Sequence, residues 1–447
     1  MKWINQYFKL CRLERDDWWE LAKPHRLYLS TESLYLVLPQ TFANVLIYCQ
    51  QTHCRHIDLV LTRMFQLPPE LIFVILEYAY YTPAGSPDYA LLTNCSTVCI
   101  AWSLPAQSLL FHKTPKLHLD SIASFHAALK SSAARGKPMG DAVRSLDISF
   151  GGSLDGALQP EAFAQLLQAC PRLYELSLST YGVHEFDQFA LAKLKDAGQG
   201  IRALNLQYCG VQSPVLFQLL GIWPRIRFLK IGTEIAAWPW RLPAQIPILR
   251  QPQTNAGASD VAQRPPAHVS LYDLALSRIP QQPVLSWLLG SSATSLRILD
   301  LHEVPGIAAR QALSIHAPHL RSLRLLHFSL DSAAFLRQCT RLQELVIYNV
   351  PVFVPLAPEL PHSIEHLSFR NPRHTFRNTL RPFLEAIEVL PKLRIVTCDT
   401  NSEGLRDFES LKARCAEKGV EVVISEVPIW VVSYVAWANS CKHVAIG

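Results

Sequence analysis

The sequence predicts an α/β repeat protein with a small helical unit ahead of the repeats, and three observations support this. A strand-like hexamer recurs ten times in the C-terminal three quarters of the 447-residue chain. Stretches with one apolar helical face lie between several of the hexamers. The segment 67–111 carries helical periodicity, and the hexamer series takes over after Phe111. A chain of this length can hold such a repeat domain and further domains beside it.

Each hexamer has the form apolar-x-x-Leu-x-apolar, and its central residue defines a register. The centres are Leu146, Leu176, Leu204, Leu229, Leu274, Leu299, Leu323, Leu345, Leu367 and Val396. The intervals between them are 22 to 30 residues, with one of 45, which is the period of leucine-rich repeats. Alternation in a strand turns the central residue inward, and stacking buries what one repeat cannot. We therefore predict a horseshoe-shaped leucine-rich-repeat solenoid over 116–425.

The one long interval contains a proline-rich insertion over 233–268, which we predict to be a loop. It is either tolerated slack or a contact loop, and Trp238 and Trp240 favour contact. The tail over 426–447 contains Trp430, Tyr434 and Trp437. We predict that this tail forms an apolar cap on the last repeat.

Residues 64–115 are predicted to form a helical hairpin. Pro68 and Pro69 stand where a helix start loses nothing from a missing N–H. The first helix has two apolar faces, one of Leu67, Leu71, Val74, Ile75 and Tyr78, the other of Ile72, Leu76 and Ala79. Asp88 is expected to cap a second helix, with apolar residues through Trp102, which Pro105 interrupts. A unit this small cannot bury both faces alone, so the rest of the chain or another protein must cover one.

This hairpin resembles an F-box. The resemblance is carried by Leu67-Pro68-Pro69-Glu70-Leu71, Val98-Cys99-x-x-Trp102 and Leu110-Phe111, and it covers about a tenth of the chain. In that family the hairpin docks on the Skp adaptor of cullin–RING ubiquitin ligases. By position, the resemblance implies that the adaptor-binding residues are Leu67, Pro68, Leu71, Ile75, Leu91, Val98, Trp102 and Leu110.

An F-box followed by leucine-rich repeats is similar to fungal F-box proteins with divergent repeats. The resemblance implies a non-catalytic substrate-recognition subunit of a Skp–cullin–F-box ubiquitin ligase, whose repeats bind the protein substrate. The alternative is a leucine-rich-repeat interaction scaffold with the hairpin as its N-terminal cap. A receptor needs an open apolar face on 67–111, whereas a cap needs that face covered.

The outward strand positions supply the candidate substrate-binding residues. They are Phe228, Lys230, His302, Arg324, Tyr348 and Arg370. Mixed charge with aromatic rings suits a protein ligand. Arg324, Tyr348 and Arg370 are favoured because arginine and tyrosine are common binding hot spots. The alternative for each residue is an ordinary place on a solvated sheet face.

Composition and motifs exclude several classes of partner, cellular location and cofactor. The net charge of +6 is spread without a run of like charges, so we predict no nucleic-acid partner. Scattered cysteines, no signal peptide and no spanning segment lead us to expect a cytoplasmic and/or nuclear protein without a membrane partner. Phosphate-loop and nucleophile-elbow motifs are absent from the sequence, and we predict no cofactor.

Residues 1–63 form an N-terminal extension to which the sequence assigns no role. Cys49, His53, Cys54 and His56 lie close together there but lack a second ligand pair at the usual spacing. We therefore predict incidental His and Cys on a helix and no metal site.

Overall fold

A computed structural model describes most of the chain beyond residue 67. The described residues are 68–80, 87–136, 138–150, 160–181, 184–235, 267–350, 354–371 and 379–424. They fall into two compact units: a helical unit that ends at residue 106, and a repeat unit that comprises 83–87 and everything from 107 onward. The expectations for residues 1–63, Leu67, Trp238, Trp240 and the tail lie outside the described residues.

The helical unit contains α1 (Pro69–Ala79), α2 (Tyr89–Val98) and the first part of α3 (Ile100–His112). Helix α1 begins at Pro69, as predicted. The Asp88 carboxylate accepts a 2.9 Å hydrogen bond from the Leu91 backbone N–H and caps α2, as predicted. Ile72 and Leu76 form the buried face of α1.

The chain breaks at Cys99 and not at Pro105, which corrects the predicted end of the second helix. Cys99 is extended, with φ −164° and ψ 169°. Its carbonyl accepts the backbone N–H groups of Trp102 and Ser103, and this starts α3. Pro105 therefore falls in the second turn of a new helix, close to its start, where proline is less disruptive than deep in a long helix.

The described part of the repeat unit forms one parallel sheet of 11 strands in sequential order. The strands are β1 (Ser145–Phe150), β2 (Glu175–Thr180), β3 (Ala203–Tyr208), β4 (Phe228–Ile231), β5 (Asp273–Leu276), β6 (Ile298–Leu301), β7 (Ser322–Leu325), β8 (Glu344–Ile347), β9 (His366–Phe369), β10 (Ile395–Cys398) and β11 (Glu421–Ile424). Each predicted hexamer centre pairs with the next, from Leu146 with Leu176 to Leu367 with Val396. The repeat register predicted from the sequence is confirmed.

Helices connect most of the strands. The connecting helices are α5 (Pro160–Gln168), α6 (Gln188–Ala197), α7 (Val215–Ile222), α8 (Gln282–Leu289), α9 (Ile307–Ser314), α10 (Leu330–Leu336), α11 (Arg381–Val389) and α12 (Phe408–Glu417), and α4 (Leu119–Ala134) precedes the first strand. Short 3₁₀ turns span Met139–Ala142, Ala317–His319, Ala357–Glu359 and Thr400–Ser402. No helix in the described ranges is long and apolar enough to cross a membrane.

The core lies between the sheet and these helices. The inward strand residues Leu176 and Leu178 pack with Phe163, Leu166 and Leu167 of α5 in one continuous apolar cluster. Strand β4 pairs directly with β5 across the long interval, so the insertion leaves the ladder unbroken. Parallel strands, one per repeat, with helices on the return, make this unit a leucine-rich-repeat solenoid.

Candidate functional site

The open face of the sheet consists of the strand side chains that alternate with the core leucines. Because neighbouring strands lie about 4.8 Å apart, side chains at the same position in successive repeats meet. Two polar assemblies occupy this face, one on strands β1 to β3 and the other around strands β5 to β9.

The first assembly, the Gln207 network, joins Lys116, Asp147, Ser179 and Gln207. The Gln207 amide N–H donates to Asp147 Oδ2 at 3.1 Å, and its Oε1 accepts from Ser179 Oγ at 3.1 Å. Lys116 Nζ donates to both Ser179 Oγ and Gln207 Oε1 at 3.2 Å. Lys116 belongs to the segment beside the first strand, where Leu117 bridges Ile148. Direct hydrogen bonds thus tie the sheet's first edge to β1, β2 and β3.

The second assembly, the Asp300 cluster, consists of Asp273, Asp300, His302, Arg324, Glu344, Tyr348 and Arg370. The Tyr348 hydroxyl donates to Asp300 Oδ2 at 3.1 Å. Arg324 lies between two carboxylates, with Nη1 3.9 Å from Asp300 Oδ2 and Nε 3.8 Å from Glu344 Oε1. The exposed His302 reaches to 3.4 Å from Asp300 Oδ1. Two buried carboxylates therefore flank one buried arginine in this part of the sheet.

Aromatic contacts extend the Asp300 cluster toward solvent. His302 follows β6 and Tyr348 follows β8, and their rings lie 5.3 Å apart across the intervening strand. The guanidinium of Arg370, which follows the neighbouring strand β9, lies 6.0 Å from the Tyr348 ring. Burial, followed by the nearby Asp300 charge, raises the pKa of Tyr348 well above its ordinary value. Tyr348 therefore stays a neutral hydrogen-bond donor at any physiological pH.

The charges of the cluster shift the pKa of Asp273. Burial raises its pKa to about 6; Asp300 and Glu344 push it the same way, whereas Arg324 and Lys230 oppose the rise. The cluster therefore holds a carboxyl group that titrates close to neutral pH.

A buried relay adjoins the cluster on strands β8, β9 and β10. His366 Nδ1 lies 3.1 Å from Glu344 Oε2, and its Nε2 lies 2.7 Å from Thr397 Oγ1. The order hydroxyl, imidazole, carboxylate is that of an activated nucleophile. Thr397, however, is only 1% exposed, so a substrate cannot reach its hydroxyl without the sheet face opening. This arrangement fits a structural role, and no group of metal-ligating side chains occurs in the described ranges.

The structure brings four of the six predicted substrate-binding residues together: His302, Arg324, Tyr348 and Arg370. Phe228 lies apart, with its ring 6.2 Å from Tyr174 and 5.9 Å from Tyr272. Lys230 is exposed on β4 and acts on Asp273 through its charge alone.

Sequence reasoning missed an exposed aromatic pair next to strands β2 and β3. Tyr181 and Tyr208 stack with centroids 4.0 Å apart and planes at 17°. They are 44% and 42% exposed. Both follow the last core position of their repeats, outside the hexamer. An aromatic residue just after the hexamer in two successive repeats is the signal that would have found them.

The predicted adaptor-binding residues of the helical unit differ in exposure. Pro68 and Leu71 are exposed, Trp102 is buried, and Ile75, Leu91, Val98 and Leu110 are half-buried, with Leu110 beyond the helical unit's boundary. Val74, predicted to share an apolar face of α1 with Leu71, is 43% exposed, as is Leu71. Two further exposed apolar residues, Ile100 and Leu104, lie one turn apart on α3 and were not predicted from the sequence. One face of α1 is therefore buried and the other is open.

No protein-family model matches the chain, and no curated protein matches it. Among solved structures, the chain is similar to the leucine-rich repeat-containing protein LegL7 from Legionella pneumophila. The likeness has 15% sequence identity and a TM-score of 0.36, and it covers 63% of this chain and 83% of that one. The class of protein, a leucine-rich-repeat solenoid, rests on the strand ladder described above.

Proposed function

We propose that this chain is a non-catalytic protein-binding scaffold whose open sheet face holds a protein partner. The observation that carries the proposal is the Asp300 cluster, in which the repeat register assembles arginine, tyrosine, histidine and buried carboxylates from successive strands. Such groups, together with the exposed Tyr181–Tyr208 pair beside β2 and β3, are the chemistry of protein-binding hot spots.

The cluster divides into a supported inner part and an accessible outer part. Asp300, Arg324 and Glu344 are at least nine-tenths buried, and Asp300 accepts the hydrogen bond that positions Tyr348. His302 is exposed and Arg370 is half-buried, so they lie where a partner's side chains arrive. A buried foundation of this kind lowers the ordering cost that a partner's binding would otherwise meet.

Site-specific photo-crosslinking tests the proposal. A benzophenone amino acid replaces His302 on the open face in one variant and exposed Lys130 on α4 in the control. We expect a discrete crosslinked species in cell extract from position 302 and none from position 130. Its band should weaken when Arg370→Ala is added. Crosslinks of equal yield and pattern at both positions would contradict binding at this face.

We further propose that the helical unit docks on a Skp-type adaptor, which would make the chain the substrate receptor of a cullin–RING ubiquitin ligase. Two features support this: the F-box resemblance of 67–111, and the exposed apolar residues Leu71 and Val74 on α1 beside a face that is already buried. Exposed apolar groups rimmed by polar ones mark interaction sites. In this proposal the chain positions a target for ubiquitin transfer and performs no chemistry itself.

Co-purification with a Skp adaptor distinguishes the proposal that the helical unit is an adaptor-binding F-box from the alternative that it is an N-terminal cap. The informative variant is Leu71→Ser with Val74→Ser, because it leaves the buried Trp102 in place. The matched control is Ile307→Ser with Leu330→Ser, which removes exposed apolar residues from the repeat unit. We expect the adaptor with wild type and control but not with the first variant. If well-folded wild type recovers no adaptor, the receptor proposal is contradicted. The proposal of a protein-binding scaffold would then stand alone.

A further inference from the structure

The edge of the sheet where the strands begin carries a cationic row that neither proposed function uses. The row, here called the strand-start row, is the residue directly before each of strands β1 to β7. Its members are Arg144, Tyr174, Arg202, Arg227, Tyr272, Arg297 and Arg321. Before β8 and β9 the equivalent residues are Gln343 and Glu365, so the row ends there.

The members of the row are consecutive in space although they are far apart in sequence. Each backbone N–H from Tyr174 to Arg321 donates to the carbonyl of the preceding member, at 2.7 to 2.9 Å. With strands about 4.8 Å apart, the seven positions span roughly 29 Å. Arg227 and Arg321 are exposed, and Arg202 and Arg297 are half-buried.

Four of the five arginines of the row have no carboxylate partner within the described part of the chain. Arg202, Arg227, Arg297 and Arg321 form no ion pair with any described residue, in contrast to Arg394 at the far end of the edge, which reaches Glu365 at 3.9 Å. Arg202 and Arg297 use one guanidinium nitrogen each on a backbone carbonyl, at 3.3 and 2.9 Å.

The positive groups also crowd one another. Burial and the neighbouring Arg225 and Arg227 lower the pKa of Arg202, with Tyr174 opposing them, and the guanidinium remains charged. The nearest acidic residues on the strands are Glu175 and Asp273, each directly after a tyrosine of the row. Both are half-buried and belong to the open face. A bound anion that contacts two neighbouring arginines would therefore reduce the repulsion between them.

The two tyrosines of the row favour a carboxylate ligand over a single-stranded nucleic acid. Tyr174 is buried, and both Tyr174 and Tyr272 pack their rings toward Phe228, at 6.2 and 5.9 Å. Binding of single-stranded nucleic acid needs rings that are free to stack on bases. These rings are already occupied, whereas carboxylates need only the guanidinium forks.

We propose that the strand-start row binds an extended acidic segment of a partner protein, with aspartate and glutamate carboxylates on the arginines. An extended chain advances about 3.3 Å per residue, so roughly nine residues cover the row. This site lies on the strand-start edge and is separate from the Asp300 cluster on the open face.

Fluorescence anisotropy with a fluorescein-labelled oligoglutamate of about ten residues tests this, using the full chain at low salt. The variant is Arg227→Glu with Arg321→Glu. The control, Lys130→Glu with Arg406→Glu, reverses two exposed charges outside the row and changes net charge equally. We expect the variant to bind the peptide roughly tenfold more weakly than the control does.

Three outcomes would overturn the proposal: no binding by wild type, an equal loss in variant and control, or tighter binding of a labelled oligothymidylate of the same length than of the peptide. The third outcome would assign the row to nucleic acid. Circular dichroism checks the fold of each protein. If the charge reversal does not fold, Arg227→Met with Arg321→Met removes the charges without adding repulsion, and the same comparison applies.

Discussion

The two polar assemblies of the open face are built from different chemistry on the same repeat scaffold. The Gln207 network links its members by direct hydrogen bonds of 3.1 to 3.2 Å around one amide. The Asp300 cluster relies on charge, with Arg324 at 3.8 and 3.9 Å from two carboxylates. The difference teaches that the first assembly fastens the sheet edge, whereas the second is electrostatically balanced and responds to any charge placed beside it.

Removing the central charge of the Asp300 cluster should have the largest effect. Arg324→Leu leaves the buried Asp300 and Glu344 without the cation between them, which should cost about 3 kcal/mol of unfolding free energy. Urea denaturation measures this. The control, Arg321→Leu, removes the exposed arginine three residues earlier and should cost under about 0.5 kcal/mol. Equal losses in the two variants would mean that the cluster's charge balance contributes nothing.

Breaking the Gln207 network should cost less. Gln207→Leu removes hydrogen bonds to Asp147, Ser179 and Lys116 in a half-exposed site where water can replace them, so we expect about 1 kcal/mol. The control, Gln212→Leu, changes an exposed glutamine in the following turn and should be near neutral. A loss in Gln207→Leu larger than that in Arg324→Leu would invert the comparison between the two assemblies.

The smallest predicted effect depends on pH. Asp273 has a folded pKa of about 6, above the ordinary value for an unfolded aspartate, so its ionisation opposes folding as pH rises from about 4 to 6. Asp273→Asn should therefore match wild type in stability near pH 4 and exceed it by about 1 kcal/mol at pH 7.5, since the site is half-buried. Chemical denaturation across this pH range measures the difference.

The opposite slope at another site provides the control for this prediction. Burial, with the nearby Arg144 and Lys113, lowers the pKa of His112 to about 4. Wild type should therefore lose stability relative to His112→Gln as pH falls from 6.5 toward 4. If both variants showed the same slope, the pH dependence would come from elsewhere in the chain.

Sequence periodicity was sufficient to predict the repeat ladder, because each hexamer needs the same buried residues at the same spacing. It did not locate the helix break at Cys99, because an extended cysteine leaves no mark in an apolar pattern and proline does. It also identified Arg324, Tyr348 and Arg370 as outward without showing that Asp300 links Tyr348 to Arg324. That relation depends on which repeats are neighbours and on how far each side chain reaches.

The strand-start row shows the same limit more sharply. Its arginines are separated by 24 or more residues along the chain, so no charge run appears and the composition argued only against clustered positive charge. Folding places them about one or two strand spacings apart. A repeat register converts dispersed residues into a surface, and only the register reveals which ones converge.

Because β4 pairs directly with β5, the sheet tolerates changes in the length of the chain between them. Leu229 and Leu274 are partners although 45 residues separate them, about twice the usual interval. Strand register there does not depend on how many residues the interval contains, and loop closure grows only slowly more costly with length. Evolution can therefore exchange, lengthen or delete that stretch without re-optimising the repeats on either side, and an engineer can use the same place to graft a reporter domain.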